Sequence, residues 1–399
     1  MIKKLILLIR KKKKMLQKIE TEKLPIKLWL KDLEEGALQQ AKDLANLPIA
    51  FRHIAIMPDS HQGYGMPIGG ILATKDAIVP NAVGVDIGCG MCSLRTSLKE
   101  IDRDDLKKIL GIIRKTVPVG FKRHKNAQDE SWMPKLEENL PIVSQEYEKG
   151  RYQVGTLGGG NHFIEIQKGS DGFIWIMVHS GSRNIGYTVA NYYHKKAVEE
   201  TQQRGDKNTP KDLSYFVKES ANFDNYIKEM NYCIDFALQN RKLMMENVKK
   251  AFQEILPETT FSNFINKPHN FAAIEMHFDE KLIVHRKGAT RAEKGELGMI
   301  PGSQGTKSYI VKGKGNPLSF NSCSHGAGRV MSRSKARKTL SLKEEVAQLK
   351  KQGVLHALRH QKDLDEAPSS YKDIKEVMKQ QKDLISIEVE LQPLAVVKA

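Results

Sequence analysis

Residues 156–183 read TLGGGNHFIEIQKGSDGFIWIMVHSGSR, and this stretch indicates how the chain folds. Two strand-like apolar runs, FIEIQ and FIWIMV, are separated and flanked by glycine-rich segments, which interrupt regular structure. His162 stands just before the first run and His179 just after the second. The pattern predicts strands that hold histidines at loops, where glycine lets a ligand approach the backbone closely.

Helical and strand-like segments lie on both sides of this stretch. Apolar spacing predicts helices over 30–47, 101–116, 187–200, 221–254, 325–340 and 342–358. Further strand-like runs occupy 51–57, 71–74, 271–286, 308–312 and the tail from 385. No Pro-, Gly- or Ser-rich linker divides the chain, and no solenoid repeat is evident. We therefore predict one large α+β domain rather than two domains.

The chain is strongly basic. Its 399 residues carry a formal net charge of +17, which is typical of a protein with a polyanionic partner such as nucleic acid or a membrane surface. A merely solvated basic surface is the alternative. The four cysteines do not form the dense pattern of a secreted disulfide scaffold, so a reducing compartment is expected. Cys89 and Cys92 form a C-x-x-C, but a second pair that would complete a zinc knuckle is missing.

The N-terminus reads MIKKLILLIRKKKKMLQ and imitates a signal peptide. Its apolar run from Leu5 to Ile9 is too short for a signal core and ends in a run of basic residues. Later segments lack the roughly eighteen consecutive apolar residues of a membrane span. We expect a cytoplasmic protein without a membrane partner, in which residues 1–14 form a disordered basic extension.

A set of potential metal ligands recurs beside small residues at the ends of apolar runs. The set comprises one carboxylate, one thiolate and several imidazoles: Asp86, Cys89, His162, His179, His269 and His325. Such a set suits a transition metal better than magnesium or calcium, which prefer oxygen ligands. A shared thiolate can bridge two ions. Residue types alone leave manganese, zinc and iron open, and a buried structural role for Cys89 is the alternative.

Glycine-rich loops suited to phosphate form a second group. GTLGGGN and PGSQG match neither a Walker motif nor a dinucleotide-binding motif, yet their backbone N–H groups are suited to phosphate oxygens. SHGAGR is expected to open a helix whose N-terminus favours anions. Basic residues near these loops are candidates for RNA phosphate contacts: Arg183, Arg286, Lys287, Arg291, Arg329, Arg333, Lys335, Arg337 and Lys338.

Together these motifs closely resemble those of the RtcB family of RNA-splicing ligases. The matching segments run in family order from residue 57 to residue 399: MPDSHQGYGMPIGG, VGVDIGCGM, TLGGGNHFIE, VHSGSRNIG, PHNFA, HRKGATRA, PGSQGTKS, SHGAGRVMSR and VVKA. The resemblance implies a distinctive α+β fold with a central metal- and nucleotide-binding cleft. It also implies that residues 15–399 form the catalytic domain.

The resemblance implies an activity as well. Family members join RNA ends that carry a 3′-phosphate or a 2′,3′-cyclic phosphate to ends that carry a 5′-hydroxyl, in RNA splicing or repair. They use GTP and two Mn²⁺ ions. A histidine accepts guanylate from GTP and transfers it to the RNA 3′-phosphate, which forms an RNA-(3′)pp(5′)G intermediate. The 5′-hydroxyl then attacks the activated end and GMP leaves.

The same resemblance assigns roles to residues of this chain. His325 matches the nucleophile, and Asp59 matches the carboxylate that orients it. Cys89, His162 and His179 match one metal site, whereas Asp86, Cys89 and His269 match the second. The nucleotide contacts are matched by Asn161, His162, Glu165, His269, Asn270, Pro301, Gly302, Ser303, Gln304, Ser308, His325, Gly326, Ala327, Gly328 and Lys398. Gln304 departs from the family pattern, because many members have Met there.

Two alternatives to RNA joining are left open. In the first, the enzyme caps 3′-phosphate ends of RNA or DNA with guanylate without efficient joining. In the second, the chain is a non-catalytic RNA-binding protein on a ligase scaffold. The intact ligand set and His325 argue against the second alternative. The physiological RNA, the oligomeric state and the need for an activating protein partner stay open.

Overall fold

Two large, mainly antiparallel sheets form the centre of the structure, a computed structural model that describes residues 17–399. The strands are β1 Gln17–Ile19, β2 Ile26–Leu28, β3 Ile54–His61, β4 Ile68–Thr74, β5 Ala77–Ile78, β6 Gly90–Thr96, β7 Phe163–Gly169, β8 Ile174–Ser180, β9 Phe216–Val217, β10 Phe261–Pro268, β11 Asn270–His277, β12 Glu280–Lys287, β13 Ala289–Arg291, β14 Leu297–Ile300, β15 Ser308–Gly313, β16 Ser322–Ser324 and β17 Ile385–Val397.

The six-stranded sheet has the order β1-β2-β3-β4-β12-β11, and the seven-stranded sheet has the order β10-β6-β8-β7-β17-β15-β14. β2 and β3 are parallel, whereas the other neighbours in both sheets are antiparallel. β14 also contacts β6 and β10 at the far side, so the seven-stranded sheet curls nearly into a barrel. Two-stranded pairs, β13 with β16 and β5 with β9, complete the strand pairing among residues 17–399.

The helices pack against the sheets and against one another. They are α1 Glu35–Ala45, α2 Pro80–Val83, α3 Arg103–Thr116, α4 Pro141–Arg151, α5 Arg183–Gln203, α6 Ala221–Ile255, α7 Arg333–Thr339, α8 Leu342–Lys351 and α9 Ile374–Gln380. Short 3₁₀ turns occur at Glu130–Trp132, Lys211–Leu213, Pro317–Ser319, Gln361–Glu366 and Pro368–Ser370. The mixed content and the single large domain confirm the predicted α+β class.

Alternation of side chains gives the seven-stranded sheet two buried faces. On β8, Ile176 and Val178 join the cluster that packs under α3 and α6, whereas Trp175 and Met177 face the interior of the curled sheet. Successive residues of a strand point to opposite faces, so both faces need apolar residues when both are covered. This explains why FIWIMV is a continuous apolar run rather than an alternating one.

The prediction of a helix over 325–340 is wrong in its first half. The backbone forms a loop from His325 to Ser332, and α7 begins only at Arg333. The Asp59 carboxylate accepts the backbone N–H groups of His325 and Gly326 and so fixes the start of the segment. Gly328 then adopts a φ of +74°, in the left-handed region, and its missing Cβ leaves room for the Asp59 carbonyl oxygen. The segment therefore curls around Asp59 instead of starting a helix.

Other predicted elements agree closely with the structure. The helix predicted over 221–254 is α6, and the strand predicted over 271–286 is the β11–β12 hairpin. The helix predicted over 342–358 ends at Lys351. The basic extension predicted at residues 1–14 lies outside the described residues. Within residues 17–399, the helices are too short or too polar to cross a membrane.

Candidate metal and nucleotide site

Three buried side chains at the ends of three strands meet at one end of the seven-stranded sheet. The ligand atoms of Cys89, His162 and His179 lie within 4.8 Å of one another. Cys89 precedes β6, His162 precedes β7 and His179 lies near the end of β8. Because these strands are neighbours in the sheet, adjacent strand ends bring together residues that are far apart in the sequence.

The remaining two predicted ligands flank this trio. Asp86 Oδ2 lies 3.2 Å from His162 Nε2, and His269 Nε2 lies 3.3 Å from His179 Nε2. The Cys89 sulfur lies 3.5 Å from His162 Nε2 and 3.3 Å from His179 Nε2. Cys89 therefore stands between an Asp86–His162 contact and a His179–His269 contact. All five side chains predicted to bind metal are thus in one cluster.

Backbone carbonyls fix which nitrogen of two histidines faces the cluster. His162 Nδ1 lies 2.9 Å from the Leu157 carbonyl, and His179 Nδ1 lies 3.1 Å from the Asn161 carbonyl. A carbonyl can only accept, so each Nδ1 carries the proton and donates it. Each Nε2 is then left with a lone pair that points at the Cys89 sulfur, which is the orientation a metal ligand needs.

Burial disfavours the charged forms of the histidine and cysteine side chains in this cluster. Burial lowers the pKa of His179 and of His269 well below the ordinary value, and the neighbouring histidines act in the same direction. Burial raises the pKa of the Cys89 thiol, and the charge of Asp86 adds to this effect. Neutral imidazoles are ready to coordinate, whereas the thiol needs a metal ion to displace its proton.

Two polar residues of α6 form hydrogen bonds to the backbone segments around this cluster. Asn240 Oδ1 accepts the N–H groups of Gly155 and Thr156 at 2.7 and 3.0 Å, and its Nδ2 donates to the Gly181 carbonyl at 2.9 Å. Arg241 Nη1 donates to the carbonyls of Gly88 and Ser180 at 2.9 and 2.8 Å.

Both side chains are fully buried. They tie together the backbone beside Cys89, His162 and His179. Sequence analysis missed them, although an Asn-Arg pair among the apolar residues of a long helix was the available signal.

His325 and Asp59 form a closely bonded pair beside the metal cluster. His325 Nδ1 lies 2.7 Å from Asp59 Oδ2, and Asp59 is fully buried at the end region of β3. Burial alone would raise the pKa of Asp59, but the hydrogen bond and charge of His325 outweigh it and hold the pKa below the ordinary value. An ionised Asp59 accepts from Nδ1–H, which leaves the lone pair on His325 Nε2. The His325 ring stacks edge-on against His269, with centroids 4.7 Å apart.

A cavity of about 580 Å³ opens in front of this pair. This volume lies within the range of small-molecule sites. His162 is not among the residues that line the cavity, but the other residues predicted to contact the nucleotide line it: Asn161, Glu165, His269, Asn270, Pro301, Gly302, Ser303, Gln304, Ser308, His325, Gly326, Ala327, Gly328 and Lys398. Asp86, Cys89 and His179 line its floor. The metal cluster and His325 therefore share one cavity.

Glu366 organises the far wall of the cavity and was not predicted. Its carboxylate lies 3.5 Å from Lys398 Nζ, 3.4 Å from Arg329 Nη1 and 3.3 Å from Arg333 Nε. The Tyr371 hydroxyl donates to the same carboxylate. Burial alone would raise the pKa of Glu366, but Lys398 and the two arginines outweigh it and keep the pKa below its ordinary value. One buried carboxylate thus holds three cations at the cavity.

Several predicted contacts also have structural roles. The Gln304 amide donates to the Glu366 carbonyl at 3.2 Å and accepts the Ala357 N–H at 3.1 Å, so both ends of this departure from the family pattern are satisfied. The Asn270 side chain donates to the Asp86 carbonyl at 3.1 Å and accepts the Gly288 N–H at 2.8 Å.

The basic residues predicted to contact RNA separate into two groups. Arg286 is fully buried and forms a two-point ion pair with Glu275, at 2.6 and 2.9 Å, so its prediction as an RNA contact is wrong. Lys287 is also buried, and Arg291 pairs with Glu296. Arg329 and Arg333 line the cavity, and the basic residues of α7, Lys335, Arg337 and Lys338, are exposed.

Comparison with known proteins adds to this geometry. A model of the family described as tRNA-splicing ligase RtcB matches residues 40–399. The chain is 41% identical to RNA-splicing ligase RtcB1 of Escherichia coli, over 95% of this chain and 98% of that protein. It is 42% identical to RNA-splicing ligase RtcB of Escherichia coli strain K12 over the same shares. It is 31% identical to tRNA-splicing ligase RtcB of Nanoarchaeum equitans, over 93% of each chain. The matched range contains every residue of the site.

Proposed function

The chain belongs to the RtcB family of RNA-splicing ligases, and on this basis we propose that it joins RNA ends through a guanylate carried on His325. The observation that carries the proposal is the 2.7 Å contact between His325 Nδ1 and buried Asp59. This contact fixes the tautomer of the ring. It leaves Nε2 as a nucleophile at the cavity, next to a cluster suited to metal ions.

The side chains present fit a transition metal. Asp86, Cys89, His162, His179 and His269 form a mixed oxygen, sulfur and nitrogen set, and the imidazoles of His162 and His179 are oriented by backbone carbonyls. We propose that these five residues hold Mn²⁺, with Cys89 common to two ions. When bound, the metal would polarise the α-phosphate of GTP and neutralise charge that develops on it.

In the proposed first step, His325 acts as the nucleophile. His325 Nε2 attacks the α-phosphorus of GTP, a P–N bond forms, and the bond to the β-phosphate oxygen breaks so that pyrophosphate leaves. The Nδ1 proton stays in its hydrogen bond to Asp59, which stabilises the positive charge that the ring gains on attack. The product is guanylate on His325.

Two transfers then complete joining. An oxygen of the RNA 3′-phosphate attacks the guanylate phosphorus, and His325 leaves as a neutral imidazole. The 5′-hydroxyl of the second RNA end attacks the activated 3′-phosphorus, loses its proton, and GMP leaves as the phosphodiester forms. A 2′,3′-cyclic phosphate is first opened by water. Arg329 and Arg333, held at the cavity by Glu366, are placed to neutralise the RNA phosphates.

Guanine selection is proposed for Glu165 and Lys398. Glu165 is buried in the cavity wall, and its carboxylate can accept from the N–H groups of guanine, whereas adenine presents a different edge. Lys398, the next-to-last residue, is held over the Phe163 ring with its nitrogen 6.0 Å from the ring centre.

The test is incubation with α-labelled GTP and Mn²⁺, followed by denaturing gel electrophoresis. Wild type should acquire a covalent label, and His325→Ala should not. Asp59→Asn should label at least about a hundredfold more slowly, because an amide no longer enforces the Nδ1–H tautomer. Equal labelling of wild type and His325→Ala would contradict the proposal.

A second assay separates joining from capping. The substrate is an RNA 3′-phosphate strand mixed with a 5′-hydroxyl strand. Accumulation of the guanylylated end without joined product would replace joining by capping, and it would leave the role of His325 intact.

A further inference from the structure

Phe121 is the most exposed large apolar side chain among residues 17–399. Its relative exposure is 109%, whereas the next in rank, Met276, reaches 66%. The ring therefore contributes no burial to folding, although burying a phenylalanine stabilises a fold by about 1.5–3 kcal/mol. Its position at the tip of a loop calls for a reason outside the folded core.

The loop that carries Phe121 is held firmly on both sides of the ring. Gly120 donates its N–H to the Gly158 carbonyl at 2.8 Å, and Val119 forms an isolated bridge with Gly158. On the other side, the His124 N–H donates to the Tyr152 carbonyl at 3.0 Å. The backbone around Phe121 is thus anchored, so the exposed ring is presented at a defined place.

That place is next to the candidate site. Gly158 begins the turn that carries His162, and Arg183 Nη2 donates to the Gly120 carbonyl at 3.2 Å. A Cβ added at Gly159 would lie 3.8 Å from the Gly120 Cα, and one added at Gly160 would lie 3.0 Å from Arg333 Nη2. The loop, the metal-binding turn and Arg333 therefore follow one another along the rim of the cavity.

The charges beside the ring are all positive on its C-terminal side. Lys122, Arg123 and Lys125 follow Phe121 directly and are exposed. An exposed aromatic ring among cations at the rim of a phosphate-handling cavity matches the way single-stranded nucleic acid is bound, with bases stacked on rings and phosphates neutralised by Lys and Arg. Three cations favour such a polyanion over an apolar protein surface.

We propose that the segment 120–125 is an RNA-binding platform on which an unpaired base close to the reacting end stacks on Phe121. Lys122, Arg123 and Lys125 contact the phosphates that lead away from the cavity. The inference rests on the proposed ligase function, since it names where the RNA of that reaction lies. Phe121 is not among the residues that line the cavity, so it acts on RNA binding and not on guanylate transfer from GTP.

The experiment compares RNA affinity and base stacking in three full-length proteins: wild type, Phe121→Ala and Phe264→Ala. Phe264 is 45% exposed on β10 and does not line the cavity, so its loss is a matched control for removing a surface phenylalanine. The probe is a short single-stranded RNA with a 3′-phosphate and 2-aminopurine near that end. Affinity is read by anisotropy, and stacking by quenching of the 2-aminopurine.

Phe121→Ala should bind the RNA about tenfold more weakly and should lose the quenching, since one base–ring stack contributes that much. Phe121→Trp should retain both, and Phe264→Ala should behave as wild type. The melting temperature and the rate of His325 labelling by GTP should be equal in all variants. Phe121→Ala with wild-type affinity and quenching would overturn the platform while leaving labelling intact. Absence of label in wild type would instead overturn the ligase function.

Discussion

At the scale of single residues, the protonation state of Glu165 bears on its proposed role in nucleotide selection. Burial raises the pKa of Glu165 to about 8, against the opposing effects of a hydrogen bond from Gln167 and the charge of Lys398. The empty protein therefore holds Glu165 largely protonated at neutral pH. The donors of a guanine edge favour the carboxylate, so guanine binding should expel this proton.

The affinity for GTP relative to ATP should consequently rise with pH and level off near pH 8. Below about pH 8, the nucleotide-free protein binds one more proton than its GTP complex does. Raising the pH therefore makes GTP binding more favourable. The ratio of the two nucleotides cancels titration of the phosphates and of the metal ligands. The measurement is competition binding of GTP and ATP between pH 6 and 9. Glu165→Gln should show a lower and pH-independent ratio, and a ratio in wild type that falls with pH would contradict the role.

The sequence predicted the site residues that stand in recognisable motifs, but not the residues that only the folded structure brings to the site. The five metal-ligand candidates and His325 stand in short motifs, most of them glycine-rich, so the resemblance could point to them without a structure. Glu366 could not be found this way, because nothing around it in LDEAPSS marks it as the partner of Lys398 and Arg329. Arg286 was misjudged because a buried arginine paired with Glu275 and a phosphate-binding arginine look the same in a sequence.

At the scale of elements, α6 is a core helix that also holds the backbone segments that carry the metal-ligand candidates. Its apolar stripe, including Phe236, Met244 and Val248, packs into the core. One turn of the helix contributes Asn240 and Arg241, whose hydrogen bonds reach backbone groups next to three of the proposed ligands. Periodicity predicted the helix over 221–254, but it does not tell what a buried polar residue in the stripe will bind.

Arg241→Leu should weaken Mn²⁺ binding by about 10–100-fold without removing any ligand. The carbonyls of Gly88 and Ser180 would lose a charged donor, which should also lower the free energy of unfolding by about 3 kcal/mol. Lys250→Met, an exposed change on the same helix, is the control. Metal titration and denaturant unfolding give the two readouts. Unchanged metal affinity in Arg241→Leu would show that the ligand-bearing segments hold their geometry without Arg241.

The loop from His325 to Ser332 shows why element boundaries can mislead. The segment SHGAGR precedes a basic helix, so local signals favour an early helix start. A carboxylate that is 266 residues away along the chain takes up the N–H groups of that segment instead. The left-handed backbone of Gly328, with a φ of +74°, then prevents a right-handed helix from continuing through the segment.

At the scale of the whole molecule, the fold class followed from the alternation of helical and strand-like segments, but the pairing order did not. β17 lies between β7 and β15, both of which are far from it in the chain, and β12 pairs not only with its hairpin partner β11 but also with the distant β4. Such long-range pairings depend on which faces find a partner, and short apolar runs specify that weakly. Charge also predicted a polyanionic partner without locating the surface that binds it.

Metal binding should stabilise the entire domain, since the cluster joins loops from several parts of the chain. At an Mn²⁺ concentration about 100-fold above the dissociation constant, a ligand that binds only the folded state adds about 2.7 kcal/mol. Wild type should therefore melt several degrees higher in Mn²⁺ than in chelator, and Cys89→Ala should lose this increment. Cys92→Ala, which removes a buried thiol of the same motif, should keep it. Calorimetry in both buffers measures this increase in melting temperature. An equal increase in all three proteins would show that the metal binds elsewhere.

The position of β17 in the seven-stranded sheet governs the order in which this chain can fold. β10, β6, β8 and β7 form one group of hydrogen-bonded strands, β15 and β14 form another, and β17 is the strand that hydrogen-bonds to both groups. All six are synthesised before residues 385–397, so during translation the two groups stand as separate sheets with unpaired edges. Lys398 enters the cavity only when this strand inserts. Closure of the sheet and completion of the nucleotide pocket are therefore one late event, and a nascent chain has exposed edges that invite chaperones before it has any pocket for GTP.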